Sequence, residues 1–105
     1  MSGVVGGERL AAGGVLVLDV SASGVVPGSG VGAVSLNVTV TDPVAAGFVT
    51  VYPCGVLPGS SSVNFGVGQT VANAVVSPVS GGGEVCVYSL VDAHVIVDIN
   101  AWFAG

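Results

Sequence analysis

Apolar and polar residues alternate along much of this 105-residue chain with the period of two that β-strands show. Residues 33–41 are the clearest segment. Because successive side chains of a strand point to opposite faces, this segment predicts a strand that is buried on one face in a well-specified register. Its apolar positions are Val34, Leu36, Val38 and Val40, and its polar positions are Ser35, Asn37, Thr39 and Thr41.

Six further segments predict strands, because they are rich in β-branched residues and bounded by Gly, Pro, Asn, Asp or Ser. No stretch has a helical period. The six segments are residues 15–20, 48–52, 63–67, 70–76, 85–90 and 94–103.

Glycine and proline residues mark the connections between these strands. They predict a hairpin turn at 42–47, a bulge or tight bend at 66–68 and a hairpin tip at 81–83. Residues 27–32 are predicted to form a loop, and residues 1–8 a flexible or altered N-terminal segment.

This pattern predicts a single all-β domain spanning residues 1–105. Seven or eight closely spaced antiparallel strands fit a sandwich or a closed prism or barrel. The order of elements repeats at a period of roughly fifty residues, which indicates an internal two-fold repeat of half-domains packed face to face. Segments 13–20, 33–41 and 48–52 correspond to segments 68–76, 84–90 and 95–99.

Charge is scarce in this chain. Charged residues make up 7% of it, Arg9 is the one permanent cation, lysine is absent and the net charge is −5. Because phosphate binding needs clustered Lys and Arg, nucleic acid is excluded as a partner. Eighteen glycines and five prolines interrupt every apolar run, so no transmembrane helix is expected.

The two cysteines, Cys54 and Cys86, have two interpretations. In a cytosolic protein they would be buried thiols, whereas in an oxidising compartment they would form a disulfide. The lysine-free composition, rich in Gly, Ser and Thr, favours the disulfide. An extracellular or cell-surface location is therefore predicted.

Four runs resemble a Val/Gly-rich exported β-domain that is repeated in secreted and cell-surface proteins of high-GC Gram-positive bacteria. The segment from the start of the first run to the end of the last covers about two thirds of the chain, and the runs occur in the family's order. The chain departs from the family at residues 1–8, which lack the usual Arg-Leu-Leu-Asp-Thr-Arg-like start. The four runs are SLNVTVTDPVAAGFVTVYPCG (35–55), VNFGVGQTVANAVV (63–76), EVCVYS (84–89) and HVIVDINAWF (94–103).

The resemblance implies an exported, non-catalytic domain in which Cys54 and Cys86 pair. Such domains usually stand in tandem or are appended to exported hydrolases. The different start of this chain implies a missing or altered terminal strand, which would leave a sheet edge open for pairing.

Catalytic and metal-binding chemistry has little support in the sequence. His94 is the one histidine, and although Asp92 could orient it, no serine stands in a nucleophile elbow. No Cys/His spacing suits zinc, and no cofactor is expected. Calcium held by Asp42 or Asp92 with backbone carbonyls is left open.

Carbohydrate binding is a stronger alternative, because sugar-binding β-domains stack sugars on exposed aromatic rings. With strict alternation, Asp98, Asn100 and Trp102 share one face of their strand, opposite Val97, Ile99 and Phe103. The candidate glycan contacts are Trp102, Asn100, Asp98, Tyr52 and Tyr88.

Two functions follow from this sequence. The first is a non-catalytic extracellular structural module that self-associates, as an oligomer or filament, or packs on neighbouring cell-surface proteins. It is favoured because a domain this small cannot bury all of its apolar residues, and because lysine is absent from strand edges. The alternative is a carbohydrate- or cell-wall-binding module appended to an exported enzyme, with a polysaccharide as partner.

Overall fold

The described residues of the protein, given by a computed structural model, form a sandwich of eight β-strands in two antiparallel sheets. The structure describes residues 3–23, 26–27, 30–59 and 61–105, with only the backbone for residues 3–8, 22 and 23. A 3₁₀ helix, Val20–Ser23, follows the second strand. The strands are β1 (Gly3–Leu10), β2 (Val15–Asp19), β3 (Val31–Thr41), β4 (Gly47–Pro53), β5 (Val63–Phe65), β6 (Val71–Pro78), β7 (Glu84–Ser89) and β8 (Ala93–Ala104).

Each sheet has four strands and two open edges, so the predicted all-β fold is confirmed in its sandwich form. Sheet A has the order β1-β8-β3-β6, and sheet B has the order β2-β7-β4-β5. The core between them consists mainly of valine. The alternation predicted for residues 33–41 is confirmed, because Val34, Leu36, Val38 and Val40 are all 0% exposed.

Consecutive strands mostly belong to different sheets. The turn at 42–46 leads from β3 in sheet A to β4 in sheet B, and the turn at 79–83 leads from β6 back to sheet B. The hairpins predicted at these two turns are therefore wrong. Among the described strands, β4 and β5 are the one consecutive pair that is hydrogen-bonded in a single sheet. Turn residues mark where a strand ends, but the hydrophobic faces decide which sheet the next strand joins.

The N-terminal segment is more regular than the flexible or altered segment predicted for residues 1–8. The backbone of residues 3–10 forms β1, which pairs with β8 and contains a register shift between Val4 and Gly6. Few apolar residues alternate here, so the segment lacks the usual strand pattern. The segment forms a strand because it pairs with β8. Residues 1 and 2 lie outside the described part of the chain.

Two other connections differ in detail from the prediction. The fifth strand ends at Phe65 because Gly66–Gln69 forms the predicted tight bend, in which Gln69 N donates to the Gly66 carbonyl at 3.2 Å. Gly68 adopts a φ of +67°, which favours glycine. The loop predicted at 27–32 is shorter, since β3 begins at Val31, and residues 28 and 29 lie outside the described residues.

The strand orders of the two sheets are related by an internal two-fold. Replacing β1 to β4 by β5 to β8, and the reverse, converts the order β1-β8-β3-β6 into β5-β4-β7-β2, which is sheet B read backwards. This is the strand correspondence that the sequence repeat predicts. The halves do not pack face to face as separate units, however, because each half contributes two strands to each sheet.

Candidate interaction surfaces

A bulge in β8 changes the side on which its last residues lie. Leu36 of β3 lies opposite Ile99, but the preceding Ser35 lies opposite Ala101, so Asn100 is inserted between two paired positions. Such an insertion interrupts the alternation of faces along the bulged strand. The faces before and after Asn100 must therefore be assigned from β3 and not from strict alternation.

Trp102 consequently lies on the core side of sheet A. It is opposite Val34, which is fully buried, and residues directly opposite one another share a face. Phe103 lies opposite Ala33 and shares the outer face with Asp98. The prediction that Asp98, Asn100 and Trp102 share a face is therefore wrong. Trp102 is still 42% exposed, close to the end of β8.

The two candidate tyrosines lie on the other sheet. Tyr52 and Tyr88 occupy the outer face of sheet B, because their neighbours Val51 and Val87 point into the core. Tyr52 is 6% exposed and offers little surface for stacking. The ring of Tyr88 contacts that of Phe48 at a centroid distance of 6.3 Å.

The five predicted glycan contacts therefore do not form one groove. Asp98 lies on the outer face of sheet A, Trp102 on its core side, and Tyr52 and Tyr88 on the outer face of sheet B. Carbohydrate binding by a smaller set of these residues stays a prediction.

The predicted disulfide between Cys54 and Cys86 is present, with an S–S distance of 2.11 Å. Cys54 follows the last residue of β4, and Cys86 lies within β7, a central strand of sheet B. The bond joins residues 32 positions apart and holds the start of the loop after β4 against the sheet. It suggests an oxidising, extracellular environment, because structural disulfides persist there.

The acidic residues proposed for calcium belong to the turns at one end of the sandwich. Both terminal nitrogens of Arg9 donate to the Asp42 carbonyl at 3.3 Å. The carboxylate of Asp92 accepts the Ala12 N–H at 2.6 Å, and its carbonyl accepts the Val44 N–H at 3.0 Å. These contacts give both residues a role in fixing turns. Among the described residues, no group of three or more His, Cys, Asp and Glu side chains could hold a metal ion.

His94 is a strand residue of β8. It lies opposite Arg9 of β1 on one side and Thr41 of β3 on the other. Its partners across the sheet are thus a cation and a hydroxyl, and the sheet places no serine directly beside it.

A cleft of about 320 Å³ lies beside the turn at 81–83 and the start of β3. Asp19 is the one acidic residue among its described lining residues. Its Oδ1 accepts the backbone N–H of Ser21 at 3.0 Å and the hydroxyl of the same residue at 2.7 Å. The carboxylate therefore caps the short 3₁₀ helix.

Asp98 is unusual among the acidic residues, because its Oδ1 is buried and has no hydrogen-bond partner among the described residues. Asn37 lies directly opposite it across the β3–β8 pair. Leaving a buried acceptor without a donor costs about 1–3 kcal/mol.

We expect Asp98→Asn to stabilise the fold by about 1 kcal/mol, because an amide can exchange a hydrogen bond with the facing Asn37 side chain. Urea unfolding followed by circular dichroism measures the change. Asp19→Asn is the matched control, since it removes the same charge at a carboxylate that already accepts two hydrogen bonds. Equal effects in both variants would assign the gain to net charge and contradict the prediction.

The part of the outer face of sheet A formed by β3, β6 and β8 beyond the Arg9 and His94 end carries little charge. The inward residues of β3 fix which residues of its neighbours point outward. Most of the outward side chains are small. Among the outward residues of β3 from Ala33 to Thr39 and their partners on β6 and β8, Asp98 is the one ionisable group. These side chains are Ala33, Ser35, Asn37, Thr39, Ala72, Ala74, Val76, Pro78, Ile96, Asp98, Ala101 and Phe103.

Comparisons with protein-family models, with curated proteins and with solved structures find no match to this chain. The resemblance to an exported bacterial domain therefore stays a prediction. In the described part of the chain, no helix has the length and apolar character needed to cross a membrane.

Proposed function

We propose that this protein is a non-catalytic extracellular structural module that self-associates or packs on neighbouring cell-surface proteins. The observation that carries the proposal is a surface that is rich in large apolar side chains and poor in charge. Eleven large hydrophobic side chains of the described residues are more than a third exposed. They are Val15, Val17, Val44, Val56, Leu57, Val67, Val76, Leu90, Ile96, Trp102 and Phe103.

Single exposed apolar residues are common on soluble proteins, but here several belong to regular sheet surfaces. Val76, Ile96 and Phe103 project from the outer face of sheet A, and Val15 and Val17 from that of sheet B. Sheet faces of this kind are suited to bury area against another protein surface.

The non-catalytic part of the proposal rests on composition. One histidine, one arginine and no lysine leave few groups for proton transfer or for stabilising a developing negative charge. The extracellular part rests on the disulfide between Cys54 and Cys86.

Light scattering coupled to size exclusion, over a hundredfold range of protein concentration, tests the proposal. We expect a discrete species larger than one chain mass of 10.0 kDa that persists at low concentration, because the apolar sheet surfaces favour burial. The run is repeated with reductant as a control that separates non-covalent association from intermolecular disulfides.

A monomer at every concentration would refute self-association. A polysaccharide array would then test the carbohydrate alternative. Trp102→Ala is the control variant, because Trp102 is the most exposed of the three predicted aromatic contacts.

A further inference from the structure

The four edge strands of the sandwich differ in how well they are protected from pairing with another chain. Natural edges are usually blunted by charge, bulges or short length. β5 has three residues and β2 has five, ending at Asp19. β1 has a register shift and carries Glu8 and Arg9.

The fourth edge strand, β6, has none of these protections. Its eight residues, VANAVVSP, include no ionisable group, and its pairing with β3 is regular from Val71 to Pro78. Ala72, Ala74 and Val76 are exposed. This edge is therefore a template for an additional strand.

The register shows which backbone groups of β6 point away from sheet A. Val79 N donates to the Gly32 carbonyl at 3.0 Å, next to the opposed pair Ala33 and Pro78. Hydrogen-bonded and non-hydrogen-bonded pairs alternate along an antiparallel ladder. Residues 71, 73, 75 and 77 thus bond to β3, whereas residues 72, 74, 76 and 78 direct their backbone groups outward.

The sequence fits this assignment. Pro78, which has no N–H to donate, occupies an outward position, where proline is tolerated on an edge. The backbone of Asn73 instead bonds to β3, and its side-chain amide donates to the Ser62 carbonyl at 3.0 Å. This hydrogen bond ties β6 to the loop before β5.

We propose that β6 pairs antiparallel with β6 of a second copy of this chain, joining two A sheets into one continuous sheet of eight strands. The proposal rests on the self-association advanced above and assigns that contact to the edge of β6, a pairing that leaves the outer faces of the sheets uncovered. Pairing centred on Ala74 places Ala72 opposite Val76 of the second copy. The outward N–H and C=O groups of these three residues then form six backbone hydrogen bonds across the two-fold axis.

A second copy of β6 is the occupant that suits this edge best. Across a two-fold axis each side chain meets a copy of the same small set, so charge on the edge would repel itself. β6 carries no charge, although the chain has a net charge of −5. Pairing with β1 of another copy would instead bring Glu8, Arg9 and a register shift against a regular strand.

This geometry also sets the stoichiometry. An isologous contact uses the same edge on both copies and closes after two chains. Because the other edges are short, charged or irregular, the assembly is a dimer and not a filament.

Two variants test the edge directly. Val76→Lys places a charge on the outer face of β6, at a position that lies opposite Ala72 of the second copy. Ala74→Pro removes an N–H that points away from β3 at the open edge and that no strand bond within the chain uses. We expect each to raise the dimer dissociation constant by about a hundredfold or more, measured by light scattering over a dilution series. Thermal unfolding at the lowest concentration checks that both variants fold.

Two control variants separate edge pairing from other contacts. Val17→Lys introduces the same charge on edge strand β2 at a similar exposure, 55% against 63% for Val76, and should leave the dimer intact. Ala101→Lys alters the outer face of sheet A in the interior strand β8 and should also leave it intact. Dissociation by Ala101→Lys with no effect of Ala74→Pro would show packing between faces and overturn the proposal.

Amide hydrogen exchange gives a readout on the unmodified protein. The N–H groups of Ala72, Ala74 and Val76 should exchange more slowly as protein concentration rises, whereas those of Val71 and Val75, already bonded to β3, should not change. A wild-type monomer would refute both self-association and the edge proposal. An oligomer with unprotected amides at these three positions would refute the edge alone.

Discussion

Replacing both Cys54 and Cys86 by alanine is expected to lower the midpoint of thermal unfolding by roughly 15–25 °C. The disulfide joins residues 32 positions apart, and closing a loop of that length removes chain entropy from the unfolded state worth about 3–4 kcal/mol. Its location adds to the effect, because Cys86 is 4% exposed within a central strand.

Differential scanning calorimetry of the wild type and the double variant, each with and without reductant, measures this effect. Reductant should bring the wild type to the midpoint of the double variant and leave the double variant unchanged. If the wild type unfolds at the same temperature in both buffers, the disulfide contributes no stability and the prediction is refuted.

A large effect would also bear on the compartment in which the protein works. The total stability of a domain is about 5–15 kcal/mol, so losing 3–4 kcal/mol removes a large share of it. A chain with this dependence keeps its full stability only in an oxidising environment. The calorimetric result therefore tests how far the fold depends on an oxidising environment.

The strands could be predicted from the sequence because burial on one face imposes a strict pattern. The four valine and leucine positions between Val34 and Val40 alternate without interruption and are all buried. Which sheet each strand joins could not be predicted. Asp42 and Pro43 mark a turn, but a turn between sheets and a hairpin turn use the same residue types.

The bulge at Asn100 could not be predicted from the alternation of apolar and polar residues, for a related reason. A bulge is defined by two residues of one strand opposing one residue of its partner, so it cannot be seen without the register against β3. The one local signal is that Trp102 follows the buried Ile99 by three residues, whereas strict alternation places the next residue of the same face two residues later. Because of the extra residue, Trp102 does not lie on the predicted glycan face.

Leu36→Ala is expected to lower the free energy of unfolding by about 3–4 kcal/mol, because it removes three buried carbon atoms and leaves a cavity between the sheets. Leu36 is 0% exposed and lies opposite Val75 on one side and Ile99 on the other. Urea unfolding of the oxidised protein measures the change. An unchanged dependence of the free energy on urea would show that the folded and unfolded states keep their compactness.

Leu57→Ala is the matched control, since it makes the same substitution at a loop position that is 42% exposed. We expect it to change stability by less than about 0.5 kcal/mol. The comparison tests the register itself. A one-residue slip of β3 would turn Leu36 outward and expose it, and the two variants would then lose similar amounts of stability. A large difference between them requires Leu36 to point into the core, and with it the outward orientation of Ser35 and Asn37 on which the assignment of the outer face depends.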